Sequence, residues 1–218
     1  MFRMILFTQW KWSRLVIALS AVAAFALPVL SVERFGRADV SRWEVQEMLT
    51  SIQAWGVLYP VLAAALALLV AALAWSPDHR SRHVYALSLP VPRWHYVLLR
   101  LGAGAILLAG PVLALWAGAL VATTAATIPP GLHAYPTTLA LRFALAVLVA
   151  YGVIFAVSSG TARTAGYVLG ALGALIAFEV LAAAAEVNVH ILGPVLLRLF
   201  VWPGPLEVFT GRWMLIDV

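Results

Sequence analysis

The residues of this chain that could do chemistry gather in two places. His79 and His83 are four residues apart, so on one helix both imidazoles would turn toward a common ion, with Asp78 or the more distant His95 as a third ligand. No HExxH pattern accompanies them. Flanked by Arg80 and Arg82, they read as solvated or partner-facing histidines rather than metal ligands. The second place is the pair Arg142 and Glu179. Each falls inside an apolar run, and if those runs cross a membrane antiparallel the two side chains reach a similar depth and pair. Glu179 reads as a polar group lining a translocation path. Arg142 reads as the same, as half of an ion pair between helices, or as a side chain that snorkels to the nearer interface.

Other chemistry finds no footing. Ser88, Ser158 and Ser159 sit in no nucleophile-elbow context. The only lysine, Lys11, follows Trp10 rather than a glycine-rich turn, so the chain cannot hold a nucleotide as a P-loop does. With no cysteine there is no disulfide and no thiolate. The expectation is a chain without catalytic residues, metal site or cofactor of its own.

The elements that must position these residues follow from composition. Hydrophobic residues are 64% and charged residues 11% of 218, and mean hydropathy is +0.98. A soluble domain carries about 25% charged residues. The reading is an all-α integral membrane protein, a polytopic helical bundle forming one transmembrane domain over residues 1–218. Five runs have the length needed to span a bilayer: 15–32, 52–75, 97–123, 139–157 and 167–185. The basic, aromatic stretch 1–14 is expected to lie as a separate interfacial helix before turning into the first span. Residues 186–218 form an external or re-entrant tail, because 190–203 is short and interrupted by Arg198. The net charge of +5 is scattered among loops, which argues against nucleic acid as a partner. With the N-terminus inside, eight basic residues face the cytoplasm against six outside, which sets the expected orientation.

Small residues suggest where helices approach. Gly166, Gly170 and Gly173 line the fifth run, and Gly102, Gly104 and Gly110 the third. The linker after the second run is the most informative stretch. Ser76 suits a helix cap, Pro77 a first turn and Asp78 the positive end of a dipole, while Pro90 ends the segment. A short cytoplasmic helix over 77–89 is therefore expected. Val84 and Leu87 would enter a partner's groove, with Asp78, His79, Arg80 and His83 beside it.

The run 85–93, YALSLPVPR, followed by Trp94-His95-Tyr96, resembles the loop after the second span in the permeases of type-2 ATP-binding-cassette (ABC) transporters, where a coupling helix leads into a Leu-Pro-Val-x-Arg turn. Residues 156–165, AVSSGTARTA, are similar to that family's Ser-rich, Arg-bearing turn between the fourth and fifth spans, and Trp10, Lys11 and Trp12 to its interfacial helix. The resemblance implies two permease subunits, identical or paralogous, in a bacterial or archaeal cell (inner) membrane. Each would carry a separate ATPase subunit that binds ATP and Mg, and 77–89 would be the coupling helix. It also implies export by alternating access, with cargo open among lipids, drugs, polymers and ions. The family has six spans, so the sixth is absent here or the sequence is truncated. Two other readings stay open. One is a membrane-embedded, lipid-modifying enzyme using Asp78, His79 and His83 at the bilayer surface, and the other is an anchor that recruits a soluble protein without transport.

Overall fold

The computed structural model describes residues 1–32, 42–80, 92–126, 128, 131–159, 192–201 and 203–217, together with positions 166–167, 170–171, 173–175, 177–179 and 181. The described residues are mostly helical: α1 Phe2–Val32, α2 Arg42–Gly56, α3 Leu58–Arg80, α4 Arg93–Ala125, α5 Pro136–Ser158 and α6 Leu192–Phe200. Four helical stretches are long and apolar enough to cross a membrane, namely Phe2–Val32, Leu49–Asp78, Arg93–Ala125 and Pro136–Ser158. The described residues of 166–181, where a fifth span is expected, are helical too.

The four long stretches form a ring in the order α1, α4, α5, α3, each packed on its two neighbours, with little contact across either diagonal. α1 and α4 run parallel at a nearly constant offset. Gln9 meets the backbone of Arg100, and Ile17 and Phe25 face Gly110 and Gly118. α3 and α5 are also parallel, with Trp75 against Phe155 at 5.1 Å between ring centres. α4 and α5 are antiparallel, so that Gly104 meets Tyr151.

The buried stripe of α4 runs Tyr96, Arg100, Ala103/Gly104, Leu108, Pro111, Leu115, Gly118/Ala119 and Ala122. These steps of three and four keep one face inward. What that face carries is unusual for a soluble bundle. Across the bundle many inward positions are small or hydroxylated, such as Ser13, Ser20, Ala24, Ala63, Ala67 and Ala146. Outward positions are large and apolar: Leu15 and Leu19 are each 71% exposed, Leu141 62% and Leu113 60%. In lipid this is the stable arrangement, because close backbone approach rather than expulsion of water holds the helices together. These inward serines return their hydroxyls to their own helix, Ser13 to Gln9 O at 2.7 Å and Ser31 to Pro28 O at 2.8 Å, so neither is stranded. A Cβ on Gly118 would strike the Phe25 backbone, and one on Gly104 would strike the Tyr151 hydroxyl, while Gly102 has open space. Of the glycines expected at contacts on this helix, Gly104 is at a close contact, Gly110 meets Ile17 at ordinary van der Waals distance, and Gly102 meets nothing. Gly118 is an addition.

α1 departs from expectation. Residues 1–14 do not form a separate helix; α1 continues without a break from Phe2 through Pro28 to Val32. Its buried positions continue in register from the spanning part down to Ser13 and Gln9, so packing on α4 holds the N-terminal turns in line.

The tail beyond α6 also has a definite place. Residues 216–217 form β2, which pairs antiparallel with β1, residues 133–134, in the register His133↔Asp217 and Ala134↔Ile216. Tyr135 N donates to Leu215 O at 2.9 Å. Trp213, Leu215 and Ile216 are buried, with Trp213 stacked on Tyr59 and its backbone against Gly56. The tail thus closes over one end of the bundle.

Candidate functional site

At the opposite end of the bundle, where α3 finishes and α4 begins, Asp78 and Arg100 form a buried salt bridge with 3% and 5% of their side chains exposed. Tyr96 completes a triangle. Arg100 Nη1 donates to both the Asp78 carboxylate and the Tyr96 oxygen, and the Tyr96 hydroxyl donates to Asp78 Oδ2 at 3.2 Å. The guanidinium lies over the Trp75 ring, 4.8 Å from its centre. From α1, Gln9 Nε2 donates to Arg100 O at 3.2 Å. Three helices therefore meet on one ion pair.

Local geometry explains the convergence. Tyr96 and Arg100 are one turn apart on α4, so they share a face. Trp75 and Asp78 are three apart on α3 and do the same. A charge buried at this depth is tolerable only when paired and hydrogen bonded, and each member of the triangle supplies what the next one lacks. Chemically the group is a strut. A carboxylate held by both a guanidinium and a phenol fixes two helix ends to each other.

A cavity of about 230 Å³ opens beside this triangle. Its lining includes Met1, Met4 and Ile5 of α1, and the polar residues Gln9, Tyr96 and Arg100. Gln9 Oε1 and Arg100 Nε are buried with no hydrogen-bond partner.

The bundle's other end carries a second arginine site. Arg142, in the second turn of α5, donates to three backbone carbonyls of the tail: Val208 O at 3.2 Å, Arg212 O at 2.7 Å and Thr210 O. Its guanidinium lies 4.8 Å from the centre of the Trp213 ring. Gly211 adopts φ +80, which favours glycine, and a Cβ there would come within 3.2 Å of Arg142 Nη2. A cavity of about 260 Å³ lies beside it, between Tyr135, Thr138 and Asp217.

Several expected positions change meaning. Ser76 does not cap a new helix, and Pro77 does not open one, since α3 runs through both to Arg80. Asp78, expected to face a partner, is 2% exposed and turned into the bundle, because Arg100 offers it a buried partner 22 residues later. His79 and Arg80 end α3, and their side chains lie outside the described residues, as do His83, Val84 and Leu87 altogether. Arg142 makes its hydrogen bonds with backbone carbonyls of the tail. Glu179 is half-buried on a helical segment. His95 is exposed beside Trp94. Among the described residues no group of three or more His, Asp or Glu is placed to hold a metal ion.

Sequence reasoning missed Tyr96, Arg100, Gln9 and Trp75. The signal for Arg100 was present: an arginine eight residues into an apolar helix needs a partner, and Asp78 is the nearest acid on the preceding helix. Compared with known protein families, curated proteins and solved structures, the chain matches none.

Proposed function

We propose that this chain is the membrane-spanning subunit of an ATP-driven transporter of the ABC type. A separate ATPase subunit would dock on the linker between α3 and α4. One observation carries the reading: the buried Asp78–Arg100–Tyr96 triangle ties together the two helix ends that this linker joins. A push on a linker rooted in two loose helices would dissipate locally. With the roots locked by a buried ion pair, α3 and α4 move as one lever, and α1 follows through Gln9. That is the mechanical requirement for turning a rigid-body shift of a partner into alternating access. The resemblance of 85–93 to the coupling-helix loop of type-2 ABC permeases supports the same assignment.

In this reading the N-terminus and linker are cytoplasmic, ATP and Mg bind only in the partner, and two permease subunits pair in a bacterial or archaeal inner membrane. Glu179 stays a candidate for the path. Arg142 becomes the residue that holds the outer cap closed. Export fits the tail's closure over the far end, which leaves entry from the linker side. The test is affinity purification of the full chain from native membranes. An ATPase should co-purify with the wild type and be lost from the V84D/L87D double variant, whereas Asp78→Asn should keep the ATPase but lose hydrolysis-coupled transport. Absence of any nucleotide-hydrolysing partner would overturn the assignment.

A further inference from the structure

The cavity at the tail end of the bundle holds the residues of a ligand site. Its lining includes Tyr135, Thr138 and Arg142 from the start of α5, and Arg212, Trp213 and Asp217 from the tail. Its volume of about 260 Å³ far exceeds the roughly 30 Å³ share of one water. The guanidinium of Arg142, not only its stem, stands among these residues. Nη1 donates to Arg212 O at 2.7 Å, and Cζ lies 4.8 Å from the centre of the Trp213 ring; both partners line the cavity. Arg142 is half-buried, Thr138 and Arg212 are exposed, and Tyr135 is 41% exposed.

Hydrogen bonding and charge narrow the ligand. A guanidinium has five N–H groups. Three of those on Arg142 go to the carbonyls of Val208, Arg212 and Thr210, which leaves one on each Nη. Among the described residues no carboxylate comes within salt-bridge distance of it. Carbonyls satisfy donors but cancel no charge, so a half-buried arginine held only by carbonyls still favours an anion. The rest of the lining does not supply one in excess: Arg212 and Asp217 offset each other, and the charge of Arg142 is left over.

We infer that this cavity binds a phosphate group, which bridges α5 to the tail. Phosphate oxygens accept from the two open N–H groups of Arg142, with Arg212, Thr138 and Tyr135 as further donors. A planar guanidinium matches phosphate geometry. Four donor side chains suit a group with three or more acceptor oxygens better than a carboxylate with two. The cavity lies at the end of a stretch able to cross a membrane, the depth at which polar headgroups begin. The phosphate is therefore that of a phospholipid headgroup or of a dissolved solute. The site is at the opposite end from the linker and is independent of any ATPase.

The experiment is calorimetric titration of the full chain, delipidated in a neutral detergent, with inorganic phosphate, with short-chain phosphatidylglycerol and with acetate. One saturable site per chain should appear for a phosphate probe. Saturation by phosphatidylglycerol alone assigns the site to a lipid headgroup, and saturation by inorganic phosphate assigns it to a solute. Acetate should bind about tenfold more weakly than the better phosphate probe. Substituting Arg142 would also loosen the tail, so two exposed lining residues carry the test. Arg212→Gln should weaken binding about tenfold, the loss of one hydrogen bond between charged groups, and Thr138→Val about fivefold. Arg198→Gln, at an exposed arginine of α6 outside the cavity, should leave the affinity unchanged. No saturable site for either phosphate probe, acetate binding as tightly as phosphate, or equal affinity in Arg212→Gln and Arg198→Gln would each overturn the proposal.

Discussion

Two arginines, one near each end of the bundle, stand 4.8 Å above a tryptophan ring and solve the same problem differently. Arg100 is neutralised by a carboxylate, and the bond joins helix to helix. Arg142 faces three carbonyl dipoles, and the bonds join a helix to an irregular tail. The first arrangement is all-or-none, since removing either charge strands the other in a site of low dielectric. The second is graded, because each carbonyl can find another donor when the tail lifts. The linker end is therefore joined by an interdependent pair of charges, and the tail end by bonds that can be lost one at a time.

The sharpest way to break this contrast is Asp78→Ala. It leaves Arg100 buried and uncompensated and should cost about 3–5 kcal/mol, read as a lowered unfolding midpoint in detergent. The double variant Asp78→Leu/Arg100→Met should recover most of that loss, because an apolar pair of similar volume suits the site. Additive losses would mean that the two charges do not depend on each other.

Next in size is Gly118→Val. Its side chain would enter the Phe25 backbone and should cost about 1–3 kcal/mol by forcing α1 off α4, measured in the same assay. Arg142→Lys keeps the charge but loses the fork that reaches three carbonyls. About 1–2 kcal/mol of local stability should disappear, with faster proteolysis in 203–217 and little change in the global midpoint. An equal fall in global stability would make the two arginines alike after all. The smallest effect belongs to Gly102→Ala, which meets open space and should stay within about 0.5 kcal/mol of wild type.

Comparison of the two ends also shows what was legible beforehand. The helical class and four of the stretches able to cross a membrane follow from composition and run length, and the structure moves their limits by a few residues at most ends. The cap at Ser76 was a sound local reading that lost to a distant partner. Ser-Pro-Asp is the start of a helix only if nothing elsewhere claims the aspartate, and Arg100 claims it. The separate helix over 1–14 failed in the same way, because α4 continues alongside α1 and keeps those turns in line. For Arg142 the tail that reaches it lies about 70 residues away, too far for local patterning to show.

The sequence by itself determined the solvent this protein is built for. Its excess of Leu, Val, Ala and Trp with few charges leaves almost no polar surface, and run length then dictates helices, since only a helix satisfies its own backbone in lipid. Tertiary structure alone decided which charge meets which. Partner choice depends on the ring order α1, α4, α5, α3 and on the register of each pair, and these are set by where small residues let backbones approach. A shift of one helical turn would have sent Arg100 past Asp78.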